Sequence, residues 1–198
     1  MKPTRYQVKT VTALDELDRV YSFAVSVLGE MDHTVHTLDY YRRQVGLTPS
    51  LLVYAERRDR VIGCILGSVE QDHVLVGPTA VAEEERRLGV GSAMMQRIEE
   101  EAKKIGQTTL ILGARQEAED FYSHCRYRPN LFIQLPGTGQ ASQLKQLNRQ
   151  YPVIWESEEG EWTRVMLATP QVDRELQVVY ENQFPDCSTQ YVFIKEIG

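Results

Sequence analysis

Apolar residues recur three or four positions apart at Leu14, Leu17, Val20, Tyr21, Ala24 and Val27, and that period predicts an amphipathic helix. Thr12 stands where a cap is wanted, and Gly29 where the helix should stop. Ahead of it, Tyr6 to Val11 alternates like a short strand. A second helix is predicted after Thr37, carrying Leu38, Tyr41 and Val45 and ending near Gly46. The pattern then turns to strands, Leu51 to Glu56 and Val61 to Glu70, joined at Arg58-Asp59-Arg60 by a loop short enough to require antiparallel pairing. Val74 to Val81 makes a third strand, which Gly77-Pro78 should interrupt, because proline has no amide to donate and glycine often marks a bulge.

From Val90 the apolar positions Met94, Ile98, Ala102 and Ile105 again fall three or four apart, with Glu99, Glu100, Lys103 and Lys104 opposite them. Gly106 ends this helix, Thr108 to Leu112 reads as a buried strand, Glu117 to Cys125 as a helix, and Leu131 to Leu135 as a strand. A break in composition at Pro136-Gly-Thr-Gly-Gln reads as a linker or a long surface loop. Beyond it, Leu144 and Leu147 suggest a short helix, Val153 to Trp155 and Trp162 to Ala168 a hairpin about Glu159-Gly160, Val172 to Phe184 a helix, and Tyr191 to Ile197 a last strand. The fold class is therefore α/β (α+β), with a mixed, mainly antiparallel sheet flanked by helices over residues 1–135 and an appended α/β extension over 136–198.

Composition narrows the function classes. At 198 residues, 42% hydrophobic and 25% charged, the chain is an ordinary globular protein with one sizeable core. A net charge of -6 argues against binding a nucleic-acid backbone and favours cationic partners such as amines. Cys64, Cys125 and Cys187 lie far apart with no CxxC pair, so reduced thiols are expected, Cys64 as a small core residue. The opening residues lack a secretory apolar stretch and no run approaches the roughly 20 apolar residues a bilayer requires. A cytoplasmic protein without a membrane partner is the expectation.

The stretch from Val74 to Met95 carries the candidate chemistry: a strand, a basic glycine-containing turn, then a helix. The first amides of a helix have no intrahelical acceptor, and its dipole places about half a positive charge there, which suits a pyrophosphate. Gly89 and Gly91 remove side chains where backbone must approach a ligand, and Arg86 or Arg87 adds charge. A glycine pair ahead of a helix also serves as a plain tight connection, and on these residues alone both readings stand. A dinucleotide site would require a third glycine where Met94 stands, and the Gly-Lys-Ser/Thr of a phosphate-binding P-loop is missing.

Arg86-Arg87-Leu88-Gly89-Val90-Gly91 resembles the signature of the GNAT N-acetyltransferase superfamily, which is Arg or Gln, two residues, Gly, one residue, then Gly or Ala. Thr79-Ala80-Val81 looks like the small apolar end of that family's fourth strand, and Ser92-Ala93-Met94-Met95 like the start of its cofactor-binding helix. Ala114 to Tyr122 is similar to the second cofactor segment, with Phe121-Tyr122 at the aromatic pair. The resemblance implies acetyl-CoA as cosubstrate, its pyrophosphate on Arg86 to Ser92 and its pantetheine arm along the main chain of Thr79 to Val81, beside a strand opened by the Gly77-Pro78 bulge. It also implies Tyr122 as the acid that protonates the departing thiolate, and direct attack by an acceptor amine in a ternary complex.

Two departures limit the transfer. Arg126-Tyr127 replaces the usual Gly-Phe, so the turn after that helix must form without glycine. Relatives that use a catalytic glutamate often carry it on the fourth strand, yet Leu75-Val76-Gly77 offers no carboxylate. Proton removal from the amine has no obvious owner: Glu70, taken first, Asp72 and Glu83 are only nearby candidates, a bound water is the alternative, and a solvated turn residue is the plain reading of Glu70. The Glu83-Glu84-Glu85 run reads as a solvated strand end. His33 and His36 with Asp32 and Asp39 match no metal motif, and no metal is expected. The predicted partners are a small-molecule or peptide amine, selected by Gly29 to Tyr40 and the extension, with a homodimer compatible and no nucleic acid. A non-catalytic acyl-CoA-binding module is the rival reading.

Overall fold

The computed structural model describes residues 6–29, 36–148 and 150–198. The chain forms two compact units, one built from residues up to Leu110 together with Glu196–Gly198, the other from Ile111–Lys195.

The first unit contains β1 (Gln7–Thr10), α1 (Leu14–Leu28), α2 (Leu38–Leu47), β2 (Leu52–Arg57), β3 (Arg60–Glu70), β4 (His73–Val81) and α3 (Val90–Lys104). Its strands run β1-β2-β3-β4, each antiparallel to the next. Successive strand residues face opposite sides of a sheet. On β3, Cys64 and Leu66 pack with Leu17, Val20 and Ala24 of α1 and Tyr41 of α2. The alternate positions Gly63 and Gly67 meet Met94 and Ile98 of α3: an added Cβ would lie 2.7 Å from the Met94 methyl and 2.9 Å from Ile98 Cδ1. Glycine at these positions lets α3 lie close to the sheet.

Local chemistry sets the ends of the elements. The cap of α1 is Ala13, one residue later than the expected Thr12. The Glu16 carboxylate takes the capping role, accepting the amides of Thr12 at 2.7 Å and Ala13 at 3.2 Å. Its other oxygen accepts the buried Tyr54 hydroxyl at 2.9 Å. Gly29, with φ of 79°, closes α1 as expected. Thr37 caps α2 by accepting from the Tyr40 amide. The β2–β3 turn places Arg58 and Asp59 both at positive φ, the requirement of a two-residue hairpin that follows strand twist.

The second unit comprises the greater part of β5 (Thr109–Gly113), then α4 (Glu119–His124), β6 (Arg128–Pro136), α5 (Ala141–Leu147), β7 (Val153–Glu159), β8 (Trp162–Ala168), α6 (Arg174–Gln183) and β9 (Ser188–Glu196). Its strand order is β5-β9-β6-β8-β7. The last strand thus returns beside β6, pairing antiparallel from Arg128↔Ile194 to Gln134↔Ser188, while the β7–β8 hairpin forms the outer edge. Leu131, Ile133, Val165, Leu167, Tyr191 and Phe193 are buried in this unit, and the Tyr180 hydroxyl of α6 donates to the Leu144 carbonyl at 2.7 Å. Every pairing whose register is described is antiparallel, so the protein is a mixed α/β fold with a mostly antiparallel sheet flanked by helices.

Candidate functional site

The segment expected to carry chemistry begins with an irregular strand. Ile65 pairs with Thr79, but Gly67 pairs with Val76, so Gly77 and Pro78 on β4 stand opposite Leu66 alone. This is the bulge that a proline inside a ladder requires. Thr79, Ala80 and Val81 follow it, in register with Ile65, Cys64 and Gly63 of β3, and the Thr79 hydroxyl donates to the Gly77 carbonyl at 3.2 Å.

After β4 the chain is held by successive bonds. The Ala82 amide donates to Ile62 O at 2.9 Å, the Glu85 amide to Ala82 O at 2.9 Å, and the Arg86 amide to Glu83 O at 3.2 Å. Arg86 Nε donates to Val81 O at 3.2 Å. Arg87 and Gly89 then adopt left-handed backbone, with φ of 63° and 83°, and Gly89 is the cap of α3. An added Cβ at Gly89 would meet only the Tyr6 hydroxyl at 3.6 Å, so conformation rather than space demands glycine there. The first intrahelical bond is donated by Ala93 to Gly89 O at 3.0 Å. The amides of Val90 and Gly91 therefore sit in the opening turn with no acceptor inside the helix, and Ser92 follows them. Arg86, Arg87, Leu88 and Gly89 are exposed. An exposed helix N-terminus with two cations beside it suits a diphosphate, so these residues fit the coenzyme that the sequence resemblance implies.

The other candidates lie elsewhere. Glu70 ends β3 exposed, accepts the Ser68 hydroxyl at 3.3 Å and stands opposite His73. Gly77 lies four positions along β4 from His73, about 13 Å at the usual strand rise, so Glu70 and the bulge occupy different stretches of the hairpin. Asp72 is in the adjoining turn against His73, and Glu83 is exposed. Tyr122 belongs to the second unit, 7% exposed, with its ring 5.1 Å from Phe121, 6.3 Å from Tyr127 and 5.9 Å from Phe193. Arg126 adopts φ of 66° where the family usually has glycine, and the Tyr127 amide closes the turn onto Tyr122 O at 3.1 Å. Asp32 and His33 lie outside the described residues, and the His36 ring packs edge-on against Tyr40. Among the described residues no group of three His, Cys, Asp or Glu is placed to hold a metal.

One site feature corrects the sequence reading. Glu83 and Glu84 are exposed, but Glu85 is buried, 9% exposed, and pairs with Arg57 at the end of β2 through Nη1 contacts of 2.8 Å to both carboxylate oxygens. A run of three glutamates gives no signal that its last member turns inward. Beside it opens a cavity of about 740 Å³ with Phe23, Val27, Arg57, Arg60, Glu85 and Arg86 in its walls.

The model of the acetyltransferase (GNAT) family matches residues 14–127. No curated protein matches the chain in sequence. Among solved structures, the ribosomal-protein-S18-alanine N-acetyltransferase from Escherichia coli is similar at 16% identity and a TM-score of 0.55, over 85% of this chain and 96% of that one. An N-acetyltransferase from Staphylococcus aureus Mu50 is similar at 11% identity and a TM-score of 0.54, over 98% and 99%. The N-acetylglutamate synthase from Neisseria gonorrhoeae, solved with coenzyme A and N-acetyl-glutamate, aligns at 12% identity and a TM-score of 0.50, over 100% of this chain and 36% of that one. At these identities the likeness is one of fold. With more than half of its length matched by the family model, the chain belongs to the acetyltransferase (GNAT) family and is an acyltransferase.

Proposed function

We propose that the protein transfers the acetyl group of acetyl-CoA to a primary amine of a small molecule or peptide, by direct attack within a ternary complex. The observation that carries this reading is the left-handed Gly89 at the head of α3, flanked by exposed Arg86 and Arg87 and following a bulged strand. The coenzyme supplies an activated thioester. The chain's part is to bind and to polarise. Amides of the α3 head donate to the diphosphate oxygens, the main chain of Thr79 to Val81 aligns the pantetheine arm as an added strand would, and amides of the bulged strand polarise the carbonyl under attack.

Tyr122 gives its proton to the departing thiolate, a role supported by the resemblance of Phe121-Tyr122 to the family's aromatic pair. The amine must lose a proton as it attacks. Glu70 would serve through a water chain, since it is far along the strand from the bulge. Coenzyme binding along Arg86 to Ser92 needs no metal, and a cytoplasmic setting fits Cys64, Cys125 and Cys187, which form no disulfide among the described residues.

The test is release of coenzyme thiol from acetyl-CoA across a panel of amines. Acceptor-dependent release is expected, and Tyr122→Phe should lower kcat about tenfold to a hundredfold while leaving acetyl-CoA affinity within about twofold. Coenzyme binding without release for any amine would contradict the catalytic reading, and an unchanged kcat would remove the role of Tyr122.

A further inference from the structure

The diphosphate turn needs a fixed position, because its amides must meet phosphate oxygens within a few tenths of an ångström. Arg86 to Gly89 are exposed. The last buried side chain before them is Glu85, and its partner Arg57 comes from a strand 28 residues earlier in the sequence. The guanidinium meets both carboxylate oxygens, with the two side chains 20% and 11% exposed. The pair thus ties the segment that leads into the turn to the end of β2.

The pair also sets a charge. Glu85 places a carboxylate four residues ahead of Gly89, where a bound diphosphate would feel it, and Arg57 cancels that charge at contact distance. Glu83 and Glu84, exposed beside it, are screened by solvent. We propose that Arg57 and Glu85 are positioning residues for acetyl-CoA: the pair anchors the turn and keeps Glu85 from repelling the diphosphate. This rests on the assignment of the turn to the coenzyme.

The two partners are then unequal. Removing Arg57 leaves a buried, uncompensated carboxylate in the segment that leads into the turn, whereas removing Glu85 leaves a cation there. A pair that served stability alone would lower the melting temperature when either partner was lost and leave the coenzyme affinity of the folded protein unchanged.

Acetyl-CoA is titrated calorimetrically into the full chain, its Arg57→Met, Arg57→Lys and Glu85→Gln variants, the double variant Arg57→Met/Glu85→Gln, and Glu84→Gln as control. Arg57→Met should raise Kd about tenfold or more, an effect that shrinks in high salt. Glu85→Gln keeps an oxygen that can accept from Arg57 Nη1 and Arg57→Lys keeps a cation beside Glu85, so the anchor persists in both and they should stay within about threefold, while the double variant should bind more tightly than Arg57→Met alone. Equal affinities for Arg57→Met and wild type overturn the proposal, as does a double variant no tighter than Arg57→Met. If Arg57→Met does not fold, Arg57→Gln, which removes the charge and keeps a hydrogen-bond donor, takes its place, and an affinity equal to that of the wild type overturns the proposal. Absence of binding by the wild type contradicts the coenzyme assignment itself and removes this inference with it, a result distinct from wild-type binding with indifferent variants.

Discussion

Arg126 holds a left-handed backbone after α4, a conformation that costs a residue with a side chain about 1–2 kcal/mol relative to a right-handed one. The chain accepts that cost because the Tyr127 amide bonds to Tyr122 O and Tyr127 is buried, 2% exposed. Arg126→Gly removes the strain but frees the unfolded chain, so a net gain of about 0.5–1 kcal/mol is expected, seen as a rise of about 1–4 °C in Tm. A fall in Tm would show that the arginine side chain contributes more than its backbone costs. Glu56 illustrates an electrostatic term at the same scale. Its carboxylate accepts Lys9 Nζ and Arg19 Nη2, each at 3.0 Å, and these bonds, Lys9 first, outweigh burial and hold its pKa below the ordinary glutamate value. The folded state therefore binds that proton more weakly than the unfolded state does. The stability it contributes is complete above about pH 4.3 and is lost as pH falls through the lowered folded value. Glu56→Gln should lower stability at pH 7 and flatten its decline between about pH 5 and 3, measured by urea unfolding at each pH.

The glycines of β3 make a claim about whole elements. Gly67 has Ile98 Cδ1, Val74 Cγ1 and Leu51 Cβ around the position a methyl would take, the nearest at 2.9 Å, so the separation of α3 from the sheet is set by the missing side chain. Gly67→Ala should cost about 1–3 kcal/mol in thermal or urea unfolding, because α3 or Ile98 must shift. A neutral result would mean that α3 is not seated against β3 as described. Elements of this kind were largely legible in the sequence. The 3.6-residue period marked α1 and α3, a proline without an amide marked the β4 bulge, and Gly29 marked the stop of α1. The helix α1 is capped at Ala13, one residue beyond the Thr12 that the sequence favours, because the Glu16 carboxylate takes the Thr12 and Ala13 amides, which only the folded geometry shows.

At the scale of the whole molecule, what the sequence did not disclose is long-range. The strands beyond residue 135 were individually visible, but the return of β9 to lie beside β6 depends on pairing between residues some sixty positions apart, for which local pattern carries no signal. The burial of Glu85 was hidden for the same reason, since its partner lies 28 residues away. The glycine turn was legible because a helix N-terminus and a left-handed residue leave local marks. The net charge of -6 gives an anionic coenzyme no general attraction, so the proposed binding rests on local donors such as the amides and arginines of that turn.

Amide hydrogen exchange of the full chain with and without saturating acetyl-CoA measures this directly. Slowed exchange is predicted in Arg86 to Met95 and at Thr79 to Val81, with α2 unchanged. Saturable binding that leaves Arg86 to Met95 exchanging at its free rate would contradict the account.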